Sequence, residues 1–281
     1  VAEQWKPFSM RLAGGSLDDT LYEGVPPHLE SALRGWLEDS TDEALLARTV
    51  ARLRLKVHHI SRSYSEMSPG ELLDAIDFVL HAGIQPQYSF NKPKKLLATL
   101  AELLADGGSA YQINARGTGL ELRVEPTVSD SVREVVRSAA ESPASEHLAA
   151  AWEAVYGLHP NPPRAYSEAI KAVEAAAQPV IEPDNPTRAT LGTMLRAPRN
   201  RGNAEKWSGG QWEATLAGPE GGTDLSAVWT MCRMLWKGQT SRHGSGQSTR
   251  YETRAEAEAA VHLAVLLVSW FTTGKIRRTD P

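Results

Sequence analysis

Leu225-Ser-Ala-Val-Trp-Thr-Met-Cys-Arg-Met-Leu235, then Trp236-Lys-Gly-Gln-Thr-Ser-Arg-His-Gly244, then Arg254–Phe271: two apolar segments are parted by a polar, glycine-bounded break. In the first segment Val228, Trp229, Cys232 and Leu235 recur at helical spacing, which predicts one buried helical face. In the last, Ala260-Val-His-Leu-Ala-Val-Leu-Leu-Val-Ser-Trp-Phe271 is almost wholly apolar. Lys237, Arg242 and His243 stand at the break, where neither helix can hide them. The stretch therefore reads as helix packed on helix, and its polar turn is the first place to look for chemistry.

The same pattern runs upstream. Gly24-Val-Pro-Pro27 breaks the chain ahead of His28–Leu37, where Leu29, Leu33, Trp36 and Leu37 share a face. Thr41–Leu55 repeats it, with Ser40 or Thr41 as cap, Asp42 and Glu43 in the first turn, and Arg52 and Arg54 at the end. Glu71–His81 follows Ser68 and Pro69, with Glu71 at capping-box spacing. Lys94–Ala105 is closed by Asp106-Gly107-Gly108. Ser109–Asn114 and Leu120–Val124 then alternate apolar with polar around the loop Ala115-Arg-Gly-Thr-Gly119. That predicts a β-hairpin, the only sheet expected in the chain.

Ser129–Ala140 reads as helix, and Glu141-Ser-Pro-Ala-Ser145 as the linker between two parts. Beyond it come helices at Ser145–Tyr156, Arg164–Gln178 (opened by Asn161-Pro-Pro163 and ended before Pro179) and Thr187–Leu195. Ala197–Gly222 has no clear period and is expected to be a long loop, a feature that in compact domains is usually functional or disordered. The expected organisation is mainly α: a flexible N-terminus over 1–20, a helical domain over 21–140 with its hairpin near 109–124, and a C-terminal helical bundle over 145–275.

A chain of 281 residues, 41% hydrophobic and 23% charged, suits one large domain or two modest ones. Net charge is −4 and the pI about 6.1, so no global pull toward nucleic acid or anionic lipid is expected. From Leu225 onward, however, eight Lys/Arg face four Asp/Glu. The single cysteine, Cys232, excludes an intrachain disulfide and suits a reducing compartment. The N-terminal residues lack a signal-peptide pattern. The longest apolar run, Ala260–Phe271, is shorter than the ~20 residues of a membrane span. The expectation is a soluble, cytoplasmic protein.

Arg242-His243 is the leading chemical candidate. An imidazole exchanges protons near neutral pH, and a guanidinium can hold a phosphate and the charge developing on it. Together they suit cleavage of a phosphodiester through the 2′-hydroxyl, without a metal. The ordinary reading is a solvated helix-end turn whose cations complement the helix dipole. Glu168, Lys171 and Glu174 form a second set at i, i+3 spacing, which most often marks a solvated face. Cys232 with His243 as nucleophile and base is disfavoured by the apolar company of the cysteine. His262 reads as a core histidine, and His58-His59 with Arg52, Arg54, Lys56 and Arg62 as a solvated basic segment. Of the eight tryptophans, Trp36, Trp152, Trp229 and Trp270 lie on apolar helical faces and read as core. Trp207 and Trp212, in the long loop, could stack on a base or a partner. No zinc spacing, phosphate-binding loop or Gly-x-Ser-x-Gly elbow occurs, so neither metal nor cofactor is expected.

Ser145-Glu-His-Leu-Ala-Ala-Ala-Trp152 through Tyr166-Ser-Glu-Ala-Ile-Lys-Ala-Val-Glu174, then Ala189-Thr-Leu-Gly192, Gly238–Gly244 and Ala255–Ala264, resembles the C-terminal domain of bacterial abortive-infection proteins. Those resemble HEPN-superfamily helical bundles, many of them metal-independent RNases or their inactive relatives. The resemblance covers residues 145–271, and more loosely the first part from Gly24-Val-Pro-Pro27 through the hairpin. It implies an RNA-cleaving site of Arg-x4–6-His type at the junction of two late helices, acidic support from an earlier helix, and a homodimer formed through the C-terminal bundle. Here Arg233 and His243 are separated by nine residues, while Arg242 and His243 are adjacent. By position the resemblance implies Arg242 and His243 as catalytic, with Glu168 or Glu174 in support. Lys171, Arg233, Lys237 and Gln239 would meet the substrate. RNA, a second copy and an antitoxin-like protein are the implied partners.

Overall fold

The computed structural model describes residues 21–60, 63–86, 92–138, 142–185, 187–196, 212–215, 225–241 and 250–278. They are mostly helical, with two small antiparallel sheets. Contacts divide the chain into two compact units, residues 1–123 and 124–281. The first twenty residues, expected to be flexible, lie outside the described ones.

In the first unit, α1 (Pro27–Ser40) buries Leu29, Leu33, Trp36 and Leu37, the face anticipated from spacing. It packs on α5 (Pro93–Asp106) and α4 (Pro69–Ala82). Trp36 Nε1 donates to the Leu96 carbonyl at 2.7 Å, which satisfies the one polar atom of a buried indole. Helix α2 (Glu43–Leu53) packs on α4. Its cap is Asp42, which accepts from Leu45 N, and not Ser40 or Thr41; Thr41 Oγ1 instead donates back to Leu37 O and closes α1. Arg54, with φ of 55°, ends α2. A single turn, α3 (Ser63–Glu66), precedes α4, whose capping box of Ser68 and Glu71 forms as anticipated. The hairpin of β1 (Tyr111–Ile113) and β2 (Leu120–Leu122) forms too, in the register Tyr111↔Leu122. It rests on α5, and Asp77 of α4 accepts from Leu120 N at 2.6 Å. A two-stranded ribbon needs such backing to be stable.

The second unit is built around α8 (Pro162–Ile181), which packs on both α7 (Pro143–Tyr156) and α11 (Arg254–Thr272). The three contact faces are rich in fully buried alanines, among them Ala151, Ala165, Ala169, Ala172, Ala257 and Ala264. Small side chains let these backbones approach closely. Helix α6 (Pro126–Ser138) packs on α7 and α11. The division between units therefore falls after the hairpin and before α6, ahead of the 141–145 linker read from composition. Helix α8 opens at Asn161 as expected but runs past Pro179 to Ile181. In a last turn a proline costs one backbone hydrogen bond, and Gln178 still caps the end by accepting from Glu182 N. The helix anticipated over Thr187–Leu195 is shorter, α9 (Leu191–Met194), capped by Thr190.

The hairpin is not the only sheet. Strand β3 (Trp212–Ala214), inside the stretch expected to be loop, pairs antiparallel with β4 (Ile276–Arg278). Glu213 bonds Arg277 across the pair, and Trp212 Nε1 donates to Val180 O at 3.0 Å. Three residues are too few for a visible period, and their partner lies far along the chain. Trp212 is thus tied to the bundle and not offered as a free stacking surface, while Trp207 lies outside the described residues. Trp36 and Trp229 are buried as expected; Trp152 and Trp270 are only half-buried.

Candidate functional site

Helix α10 (Ser226–Gly238) buries Val228, Trp229, Cys232 and Leu235, and packs on α11. It extends through Trp236, Lys237 and Gly238, the first three residues of the stretch expected to be turn. Two neighbours hold that last turn. Tyr166 of α8 donates its hydroxyl to Leu235 O at 3.2 Å, and the same ring leaves no room for a Cβ at Gly238. On the other side a Cβ at Gly192 of α9 would stand 2.5 Å from Cζ2 of Trp236, so glycine there admits the indole. Glu174 anchors α9 in turn, accepting from Leu191 N at 2.7 Å.

The chain leaves α10 through Gln239, Thr240 and Ser241 and returns at Arg250. Its two arms meet on one carboxylate. Ser241 N donates to Glu252 Oε1 at 2.8 Å, and Thr240 Oγ1 donates to Arg250 O at 2.9 Å. Glu252 is only 4% exposed. Its Oε2 is buried with no hydrogen-bond partner among the described residues. Burial by itself would raise the pKa of Glu252, but hydrogen bonds led by Ser241 N–H hold it below the ordinary carboxylate value. Just beyond, Thr253 and Glu256 form the capping box of α11, and Glu256 also takes Arg250 at 2.8 Å. The base of the connection is therefore a built structure of hydrogen bonds.

Arg242 and His243 themselves lie outside the described residues. Glu168 and Glu174, expected in support, each have partners among the described residues. Glu174 holds the start of α9 through Leu191 N. Glu168 accepts from Lys171 Nζ at 2.8 Å through Oε1 and is bonded to His147 Nδ1 of α7 at 2.7 Å through Oε2. Burial would raise its pKa, yet the Lys171 and His147 hydrogen bonds bring it below the usual value. The charged stripe thus resolves into a Glu168–Lys171–His147 cluster and a separate structural glutamate. Arg233 and Lys237 are exposed one turn apart on α10, and Gln239 is half-buried just after it. Lys171 is paired with Glu168 on α8.

Two residues escaped the sequence reading. Glu252 has no periodic signature, since its partners lie on the far arm of the connection. His147 sits in an ordinary amphipathic turn, and only the approach of α8 shows that a carboxylate orients it. Cys232 is 1% exposed and burial pushes its thiol up to about 12. The thiolate that a nucleophile needs is then scarce near neutral pH, which removes the Cys232–His243 pairing. His262 is not a core residue: it is exposed, with Nε2 bonded to Tyr156 Oη at 2.8 Å. His58 is likewise exposed, bonded to Glu66. Among the described residues no group of metal-ligating side chains occurs. Comparison of the chain with protein-family models, curated proteins and solved structures finds no match.

Proposed function

We propose that this protein is a metal-independent, RNA-directed nuclease of phage defence or toxin–antitoxin physiology, acting in the cytoplasm through the connection between α10 and α11. The observation that carries the reading is Glu252, a buried carboxylate on which both arms of that connection converge. Arg242 follows Ser241 directly in sequence, so the reacting pair departs from an anchored point. The likeness of residues 145–271 to abortive-infection proteins with HEPN-like bundles supports the same reading. Glu168 or Glu174 is the expected acidic support, while Glu252 anchors the base of the connection.

In this reaction His243 accepts the proton of a ribose 2′-hydroxyl, whose oxygen forms a bond to the adjacent phosphorus. The bond from phosphorus to the 5′-oxygen breaks, and that oxygen keeps the electron pair and takes up a proton. The products are a 2′,3′-cyclic phosphate and a 5′-hydroxyl end. Arg242 binds the phosphate and offsets the charge that grows on it. Arg233, Lys237 and Gln239 extend the contact to neighbouring phosphates.

Purified protein is expected to cut single-stranded RNA or tRNA without added metal, and to spare a strand whose scissile ribose is 2′-deoxy. His243→Ala and Arg242→Ala are expected to abolish cutting and relieve toxicity in cells. Intact RNA, together with toxicity unchanged by His243→Ala, defeats the proposal.

A second reading has its own support. Along α11, His262 and Leu266 are exposed one turn apart, Leu266 at 40%, with Trp270 half-buried a further turn on. This partly uncovered apolar stripe favours a non-catalytic interaction or dimerisation module that pairs with a second copy or an antitoxin. Loss of a dimer and of toxicity in Leu266→Glu, with His243→Ala unchanged in both, selects it.

A further inference from the structure

The first unit carries an open groove of about 770 Å³ lined by Arg48, Ala51, Arg52, Phe78, His81 and Ala82. It lies where α2 packs against α4, and the sequence explains its character. On α2, Arg48 and Arg52 are one turn apart, with the small Ala51 beside them. On α4, Phe78 and His81 are likewise one turn apart, and Ala82, the last residue of the helix, lines the groove beside them. Phe78 is half-buried, so part of its ring is left uncovered. The alanines keep the walls low and the groove open.

The charges in this groove are unspent. Among the described residues no hydrogen bond or ion pair engages Arg48, Arg52 or His81. Two other arginines of the unit are tied down, Arg34 to Glu30 and Met67 O and Arg123 to Ser109 O. Nor can helical neighbours supply a partner. The residues three and four away from Arg48 are Ala44, Leu45, Ala51 and Arg52, and those around Arg52 are Arg48, Thr49, Leu55 and Lys56. Asp77, one turn before His81, is turned to the hairpin through Leu120 N. Two arginines at i, i+4 repel each other, and the helix retains them with no carboxylate three or four residues from either to offset the cost.

We propose that this groove binds a nucleoside 5′-diphosphate or triphosphate, with Arg48 and Arg52 on the phosphates, the uncovered face of Phe78 against the base, and His81 as a further donor. A pair of guanidiniums a helical turn apart matches consecutive phosphoryl groups, each able to accept two parallel hydrogen bonds. The groove is open to solvent, and its volume of about 770 Å³ exceeds what an isolated phosphate requires. An aromatic face beside cations supplies stacking for a planar ring. The site belongs wholly to the first unit.

The test is calorimetric titration of the full chain with the four nucleoside diphosphates, their triphosphates, inorganic pyrophosphate and a short single-stranded RNA. At least one nucleotide is expected to bind, with affinity falling as salt is raised. Arg48→Gln and Arg52→Gln are each expected to weaken it by about tenfold or more. Phe78→Leu is expected to weaken the nucleotide while leaving pyrophosphate binding nearly unchanged. Both arginines are exposed, so circular dichroism of their variants is expected to match that of the parent. Three results overturn the proposal: no nucleotide binding at millimolar concentration, binding indifferent to both arginine variants, or RNA binding at the arginines with no nucleotide affinity.

Discussion

Replacing Glu252 separates what its acceptor oxygen contributes from what its charge contributes. Oε1 takes the Ser241 N–H at 2.8 Å, and a hydrogen bond to a charged group contributes about 1.5–3 kcal/mol. Oε2 acts in the opposite direction, because it is buried without a partner among the described residues and such a group costs about 1–3 kcal/mol. Glu252→Gln keeps an oxygen for Ser241 and removes the charge, so its stability is expected to lie within about 1 kcal/mol of the parent. Glu252→Ala loses the acceptor and leaves a small void, for an expected net loss of about 1–3 kcal/mol. The pH dependence follows from the lowered carboxyl. Its stabilisation is present above the unfolded value of 4.5 and is lost as pH falls through the folded value. Urea unfolding followed by circular dichroism, near neutral pH and again below 4.5, measures each part. The glutamine variant is expected to lose this share of the acid sensitivity. If Glu252→Gln is as damaging as Glu252→Ala near neutral pH, the charge itself is held by a cation and this division between acceptor and charge is refuted.

Gly192→Ala would drive a methyl group into Trp236, 2.5 Å from Cζ2. It is expected to cost about 1–3 kcal/mol in urea unfolding and to shift tryptophan emission; parent-like values for both would show that α9 does not hold α10. Tyr166→Phe removes the hydroxyl bonded to Leu235 O and is expected to cost about 0.5–1.5 kcal/mol, read by the same unfolding. Ser68→Ala breaks the capping box of α4, for an expected loss of about 0.5–2 kcal/mol, with faster amide exchange confined to the first turn. Glu256, held at about 2 by Arg250 and Thr253, adds stability that is complete above 4.5 and fades toward 2; Glu256→Gln is expected to flatten the acid limb of the stability curve over that window.

Much of this architecture follows from local rules that operate within a few residues. The apolar face of α1, the capping box at Ser68, the glycine stop after α5 and the hairpin around Ala115–Gly119 each need only side chains near in sequence. Spacing therefore determined the mainly helical class and the place of the break between α10 and α11. What spacing could not reach depends on partners distant along the chain. Strand β3 exists because β4 comes to meet it, and the last turn of α10 persists because Tyr166 and Gly192 close around it. Tertiary packing likewise sent Glu174 to α9 and Glu168 to His147, so two carboxylates on one helical stripe serve different neighbours. It also made Glu252, an unremarked residue in sequence, the buried anchor of the connection. A hydrogen bond between residues on opposite arms leaves no period to read, and only the folded chain brings its ends together.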